Sequence, residues 1–186
     1  MKKITDLLSA VFGYSLLLLS VLVVLETIGR KWFGFSLQGV DELGGYILAV
    51  TTGLAFTIAL VDRAHIRIDL IYDRCSKTAR AWLDWFSLLL VAGMSALLCY
   101  VGVLTLQETI EFGSTAPTPW ATPMVWPQGF WVATLVLFFV TAVLTFVQAT
   151  RLLLARRFDR LRHEYGLKVV ADELKEELAA FEQRLH

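Results

Sequence analysis

Between Trp85 and Leu106 the chain reads WFSLLLVAGMSALLCYVGVLTL, 22 residues without one Asp, Glu, Lys, Arg or His. As an α-helix this stretch is about 33 Å long, enough to cross a hydrocarbon core of roughly 30 Å. Three more stretches share the character: Leu7–Leu25 and Leu43–Val61 with 19 residues each, and Phe130–Val147 with 18. No water serves backbone N–H and C=O groups inside lipid, so each stretch must satisfy them internally as a helix. A membrane β-barrel needs alternating segments of about 10 residues, and the sequence contains none. The expected fold class is an all-α integral membrane protein with four transmembrane helices.

Composition points the same way. Apolar residues make up 56 % of the 186 and charged residues 18 %, against roughly 45–50 % and 25 % in soluble domains. The 17 Lys and Arg balance the 17 Asp and Glu, so no global attraction to nucleic acid exists. Four prolines and two cysteines exclude collagen-like and disulfide-rich classes. Lys2 and Lys3 precede the first span as in a signal peptide. However, the apolar run outlasts the usual 7–15 or so residues of such peptides, and no small-x-small cleavage pattern follows before Glu26. A retained signal anchor is expected.

The charges fix an expected orientation. One side would hold fifteen of the 17 Lys and Arg: Lys2, Lys3, those between Arg63 and Arg80, and those from Arg151 onward. The other side holds only Arg30 and Lys31. By the positive-inside rule both termini are cytoplasmic. Trp32, Trp82, Trp85, Trp120, Trp126 and Trp131 fall near span ends, where amphipathic rings settle. Residues 1–150 are expected to form the membrane domain and 151–186 a cytoplasmic tail. In that tail Arg151–Arg162 carries five arginines against Asp159, a cluster suited to anionic lipid. Beyond it Leu167, Val170, Leu174, Leu178, Phe181 and Leu185 step as one face of an amphipathic helix, either solvated, membrane-lying or set against a partner.

Two connections stand out. DRAHIRIDLIYDR, Asp62–Arg74, suits a short interfacial segment between the second and third helices, with snorkelling arginines. Gln107–Gly129 holds all four prolines and no Lys or Arg, which predicts a stiff extended path. That path is either a rigid turn or a docking surface.

The spans themselves lack the costly polar groups that mark transport and catalysis. His65, His163 and His186 lie outside them, which removes paired haem ligation inside the membrane. Cys75 and Cys99 suggest no disulfide. No catalytic residue, substrate site, metal site or cofactor is expected. No span contains proline and no internal repeat is visible, so the broken helices of ion-coupled carriers are not indicated either. What the second span does carry is a small-residue stripe: Gly45, Ala49, Gly53 and Thr57. Such a stripe lets another helix approach closely, whether from the same chain or a second subunit.

Asp41-Glu42-Leu43, the charge-free second span with Gly53 midway, and His65-Ile66-Arg67-Ile68-Asp69-Leu70 together resemble the small membrane subunit (DctQ type) of TRAP transporters. The resemblance extends over roughly residues 5–150. Asp41 replaces the family's more usual Glu, and the tail is longer than the pattern requires. The resemblance implies a bacterial inner-membrane, sodium-coupled uptake system for organic acids. In it a periplasmic solute-binding protein delivers cargo to the large, elevator-type membrane subunit (DctM type). The small subunit would then be a scaffold that holds no substrate. Gly45, Ala49, Gly53, Thr57, His65, Arg67 and Asp69 are the candidate contacts with the large subunit, with membrane lipids filling gaps. Glu42, Glu108, Glu111, Trp120 and Trp126 are candidates for outer docking, where Glu26, Asp41, Glu42, Glu108 and Glu111 outnumber Arg30 and Lys31. Arg30 is expected to pair with Glu42 or Glu108. Rival readings are an autonomous four-helix exporter using Glu26 and a quinone-linked redox subunit.

Overall fold

The computed structural model describes residues 2–36, 38–62 and 76–165. Among the described residues five helices follow one another: α1 (Lys2–Trp32), α2 (Val40–Val61), α3 (Lys77–Phe112), α4 (Val125–Leu154) and the short α5 (Phe158–Tyr165). Four of them, α1 to α4, are long and apolar enough to cross a membrane. The only β pairing among the described residues is an isolated bridge between Thr115 and Pro123. His65, Arg67 and Asp69, the interfacial segment around them and the amphipathic helix expected beyond Gly166 lie outside the described residues.

The helices outrun the charge-free stretches that announced them. At 36 residues, α3 is about 54 Å long, well over the roughly 30 Å hydrocarbon thickness. Its ends therefore project beyond the core or the helix tilts, and it takes in Arg80, Asp84, Glu108 and Glu111 as well as the apolar run. Local chemistry sets the limits. The Ser76 side chain caps α3 by accepting from Ala79 N at 3.3 Å, one of the donors a helix start leaves orphaned. Gly113 stops the same helix in the left-handed region at φ 58°, as helix C-termini commonly require.

The end of α4 uses the same device with an unusual residue. Arg156 N donates to Leu153 O and Arg157 N to Leu152 O, both at 3.0 Å, the Schellman pattern that normally places glycine in the left-handed position. Here that residue is Arg156, at φ 53°, a conformation costing a side-chain-bearing residue about 1 kcal/mol or more. After this elbow α5 folds back, and its Leu161 is fully buried.

The four long helices form a row, not a closed bundle. In space the order is α1, α2, α4, α3: α1 packs on α2, α2 on α4, and α4 on α3, while α5 rests against α3 and α4. Only 6 % of the most apolar window of α1 is buried inside the molecule, against 33 % for α2, so α1 is a flank. The α3–α4 seam is the longest. On α3, Ala81, Leu88, Ser95, Gly102 and Thr109 are buried at intervals of seven, and on α4 Leu135, Ala142 and Ala149 keep the same step. A seven-residue repeat is the signature of helices crossing at a shallow angle with interlocking side chains. Small residues bring the backbones together where lipid offers no hydrophobic drive. A Cβ added at Gly102 would sit 2.9 Å from Leu135 Cδ1. Nearer the arginine-rich end, Trp85 Nε1 donates to Thr150 Oγ1 at 2.9 Å, and the Trp85 and Phe146 rings stack at 5.6 Å.

The α2–α4 seam depends on Gly53. A Cβ there would meet Thr134 Oγ1 in hard overlap and Thr134 Cβ at 2.7 Å, and the Phe56–Phe138 ring pair at 5.5 Å continues the contact. Gly44 is a looser case: a Cβ there would make only ordinary contact with Leu19 Cδ1 of α1, at 3.6 Å. Gly45 meets nothing within 4 Å. Gly53→Leu should therefore lower the melting temperature of the detergent-solubilised protein, with an overpacking cost of about 1–3 kcal/mol. Gly45→Leu should leave it unchanged. Circular-dichroism melts of the two variants decide the matter, and equal losses would contradict this packing.

Candidate functional site

The connection between α3 and α4 is shorter than the prolines suggested and is folded, not merely extended. It runs from Gly113 to Met124 as a small hairpin. Met124 N donates to Ser114 O at 3.0 Å, Ala116 N to Thr122 O at 2.9 Å, and Ala121 N to Thr118 O at 2.9 Å. The last bond closes a turn with Pro119 at its second position, where a fixed φ is an advantage. Pro127 falls in the first turn of α4, where no N–H is needed. The prolines thus sit where a missing donor costs nothing.

Glu42 ties this hairpin to α2. Its carboxylate is buried, accepting from the Tyr46 hydroxyl at 2.7 Å and from the Thr118 hydroxyl at the hairpin tip. The Tyr46 hydroxyl also lies 3.4 Å from Met124 Sδ. Charge-assisted bonds of this kind offset the cost of removing a carboxylate from water. Glu42, expected on an outer docking face, is thereby turned inward and engaged in holding the fold. Trp120 follows it partway. Its ring lies on Gly39, where a Cβ would come within 2.5 Å of Cε2 and where φ of 128° admits only glycine comfortably. Its other face is open, and Trp126 is 69 % exposed. Glu108 and Glu111 are exposed at the end of α3. Trp120, Trp126, Glu108 and Glu111 are thus on the surface at the hairpin end of the molecule. An apolar groove of about 370 Å³ runs beneath the two tryptophans, lined also by Leu43, Tyr46, Ile47 and Phe130.

Arg30 pairs with neither Glu42 nor Glu108. It donates to Glu26 Oε1 at 2.6 Å, one turn back on its own helix, the spacing at which side chains on a helix face meet. Ser36 donates to the same oxygen at 2.6 Å, folding the α1–α2 connection over it. Glu26 is buried and held by these partners. The small-residue stripe is divided: Gly53 and Thr57 are buried in the α2–α4 seam, Ala49 is half-buried and Gly45 is exposed.

Sequence reasoning missed Gly102 and Asp84. The seven-residue recurrence of Ala81, Leu88, Ser95, Gly102 and Thr109 would have revealed the first. Asp84 stands one residue before the charge-free run, between Trp82 and Trp85, and is 1 % exposed with an interaction partner of its own. An acid flanked by two interfacial aromatics was the available signal.

The chemistry of the spans is subdued. Hydroxyls such as Thr51, Thr57, Thr141, Thr145 and Thr150 bond carbonyls one turn back in their own helices, which satisfies them without creating an outward-facing donor set. Among the described residues no group of three or more His, Cys, Asp or Glu could hold a metal ion.

Residues 19–152, more than half of the chain, match the family model DctQ, described as the DctQ component of tripartite ATP-independent periplasmic transporters. No curated protein matches the chain.

Glu42→Gln and Thr118→Val should each lower the melting temperature, the first by removing the charged acceptor of two hydroxyls and the second by leaving one carboxylate oxygen without its Thr118 partner. The double variant should cost less than the two single effects added, because both remove the same bond. Melting curves with tryptophan fluorescence as the second readout test this, and strict additivity would refute the tether.

Proposed function

The chain belongs to the DctQ component family of tripartite ATP-independent periplasmic transporters, and on that footing we propose that it is the static scaffold of a sodium-coupled organic-acid uptake system. Membership makes it the small, multi-pass membrane subunit of such a complex, working with a large membrane subunit of the DctM type and a solute-binding protein. This is a transporter-subunit family, not an enzyme family. The finer reading assigns cargo and ion sites to the large subunit and a supporting wall to this one, with both termini in the cytoplasm.

The observation that carries the scaffold reading is the open row of helices. Among the described residues the four spans make their main contacts with their immediate neighbours in the row and leave long apolar faces uncovered, and the buried carboxylates Glu26 and Glu42 are each bonded within the protein. A carrier acting alone would need a polar site enclosed by its own helices. A wall needs a wide face and fixed geometry, which the heptad seam and the Glu42 tether supply. Exposed Gly45 with half-buried Ala49 is the part of the stripe left over for the large subunit. His65, Arg67 and Asp69 remain candidates for the same contact. Glu108, Glu111, Trp120 and Trp126 form the proposed docking face for the binding protein.

Proteoliposomes carrying this chain, the large subunit and the binding protein should accumulate a labelled organic acid under an inward sodium gradient, and omission of this chain should abolish uptake. Accumulation by this chain alone, lost in Glu26→Gln, would instead establish the exporter. The variant E108K/E111K should slow uptake at limiting binding protein and weaken its dependence on ionic strength, because steering by opposite charge is screened by salt. Unchanged kinetics would remove those two residues from the docking face.

A further inference from the structure

We propose that the elbow between α4 and α5 is a binding site for a single anionic phospholipid, its phosphate held by Arg156, Arg157 and Arg160. Two clefts meet at this elbow. One, of about 660 Å³, is lined by Thr78, Arg156, Arg157, Phe158, Asp159 and Arg160. The other, of about 510 Å³, is lined by Trp82, Leu153, Leu154, Arg156 and Phe158. Arg156 and Phe158 line both, so an open, arginine-bearing cleft adjoins an apolar one. That is the division of a phospholipid into headgroup and acyl chain.

The charge balance selects the ligand. Three arginines and a single acid, Asp159, line the first cleft. Among the described residues no hydrogen bond or ion pair engages the three. Guanidinium groups match phosphate oxygens with paired, directional bonds. The apolar cleft then separates a lipid from free phosphate, which has no use for it. Trp82 and Leu154 are 53 % and 78 % exposed there, in the opening turns of α3 and at the last residue of α4, the depth at which headgroups give way to chains.

The backbone supplies an independent argument. Arg156 occupies a left-handed position, φ 53°, in a Schellman turn where glycine would be at ease. Strain of this kind persists where a side chain has work to do, and this side chain lines both clefts. Leu161 pins α5 behind the elbow, fully buried in the core that includes Ala81, Ala149 and Leu153, so the arginines are presented from a fixed corner. The inference does not rest on the transport role, because its test reads lipid and not uptake.

The test uses the purified full chain in detergent, titrated with phosphatidylglycerol carrying brominated acyl chains, which quench nearby tryptophan. Brominated phosphatidylcholine and inorganic phosphate are the parallel arms. Phosphatidylglycerol should quench at concentrations about tenfold lower than phosphatidylcholine, and W82F should diminish the saturable component, with Trp85 at 5.7 Å from Trp82 reporting the remainder. R156Q/R157Q/R160Q should erase the preference. R156G, which relieves the backbone, should melt higher than the parent yet bind phosphatidylglycerol more weakly, separating loss of ligand from loss of fold. Equal quenching by the two lipids, a preference that survives the triple substitution, or full quenching in W82F overturns the proposal. Displacement of the lipid by inorganic phosphate at equal concentration would mark an anion site without lipid selectivity and overturn it too.

Discussion

Helices in a bilayer gain little by hiding apolar surface from one another, because the surrounding chains are as apolar as leucine. What holds them is contact close enough for many weak dispersion attractions. In this protein that closeness is concentrated at a few small residues. Gly53 admits Thr134 and Gly102 admits Leu135, and each pair joins a different two helices of the row. The arrangement has no central core of the kind a soluble bundle would show. A connected cluster of buried residues runs from Phe138 at mid-span through Ala142, Ala149 and Leu153 to Leu161 on α5.

The two ends of the row are finished differently. At the hairpin end a buried carboxylate organises the turn, with Glu42 gathering Tyr46 from its own helix and Thr118 from the hairpin. At the arginine end the closure is apolar, with α5 folded under α3 and α4 and Tyr165 bonded to Gln148 at 2.6 Å. Between the ends the hydroxyl groups turn back on their own helices. Polar chemistry is thus confined to the termini of the spans, where the partners of a multi-subunit transporter and the lipid headgroups are within reach.

Much of this was legible in the residues. Four charge-free runs fixed four spans, because desolvating an ionised side chain is too costly for such a run to be accidental. The DEL and HIRIDL segments around Gly53 carried the family resemblance that the match over residues 19–152 bears out. Composition also excluded a soluble fold. The helix ends were less legible, since α3 continues through Arg80 and Asp84 on one side and Glu108 on the other. Side chains near a span end can reach water, so charge marks the edge of the hydrocarbon and not the edge of the helix.

Pairing was beyond the sequence. Glu42 read as an exposed acid because nothing local says that Thr118, 76 positions away, will come to its side. Arg30 read as a partner for a distant acid although Glu26 stood one turn behind it. The sequence by itself determined that the chain crosses a membrane, how often, and which residues were small enough to permit contact. Only the tertiary structure decided which of those contacts are made inside the protein, dividing Gly53 from Gly45 on one stripe. The reason is geometric: a small residue permits close approach from any helix, and which helix arrives depends on the order in which the row is assembled, a property no single helix encodes.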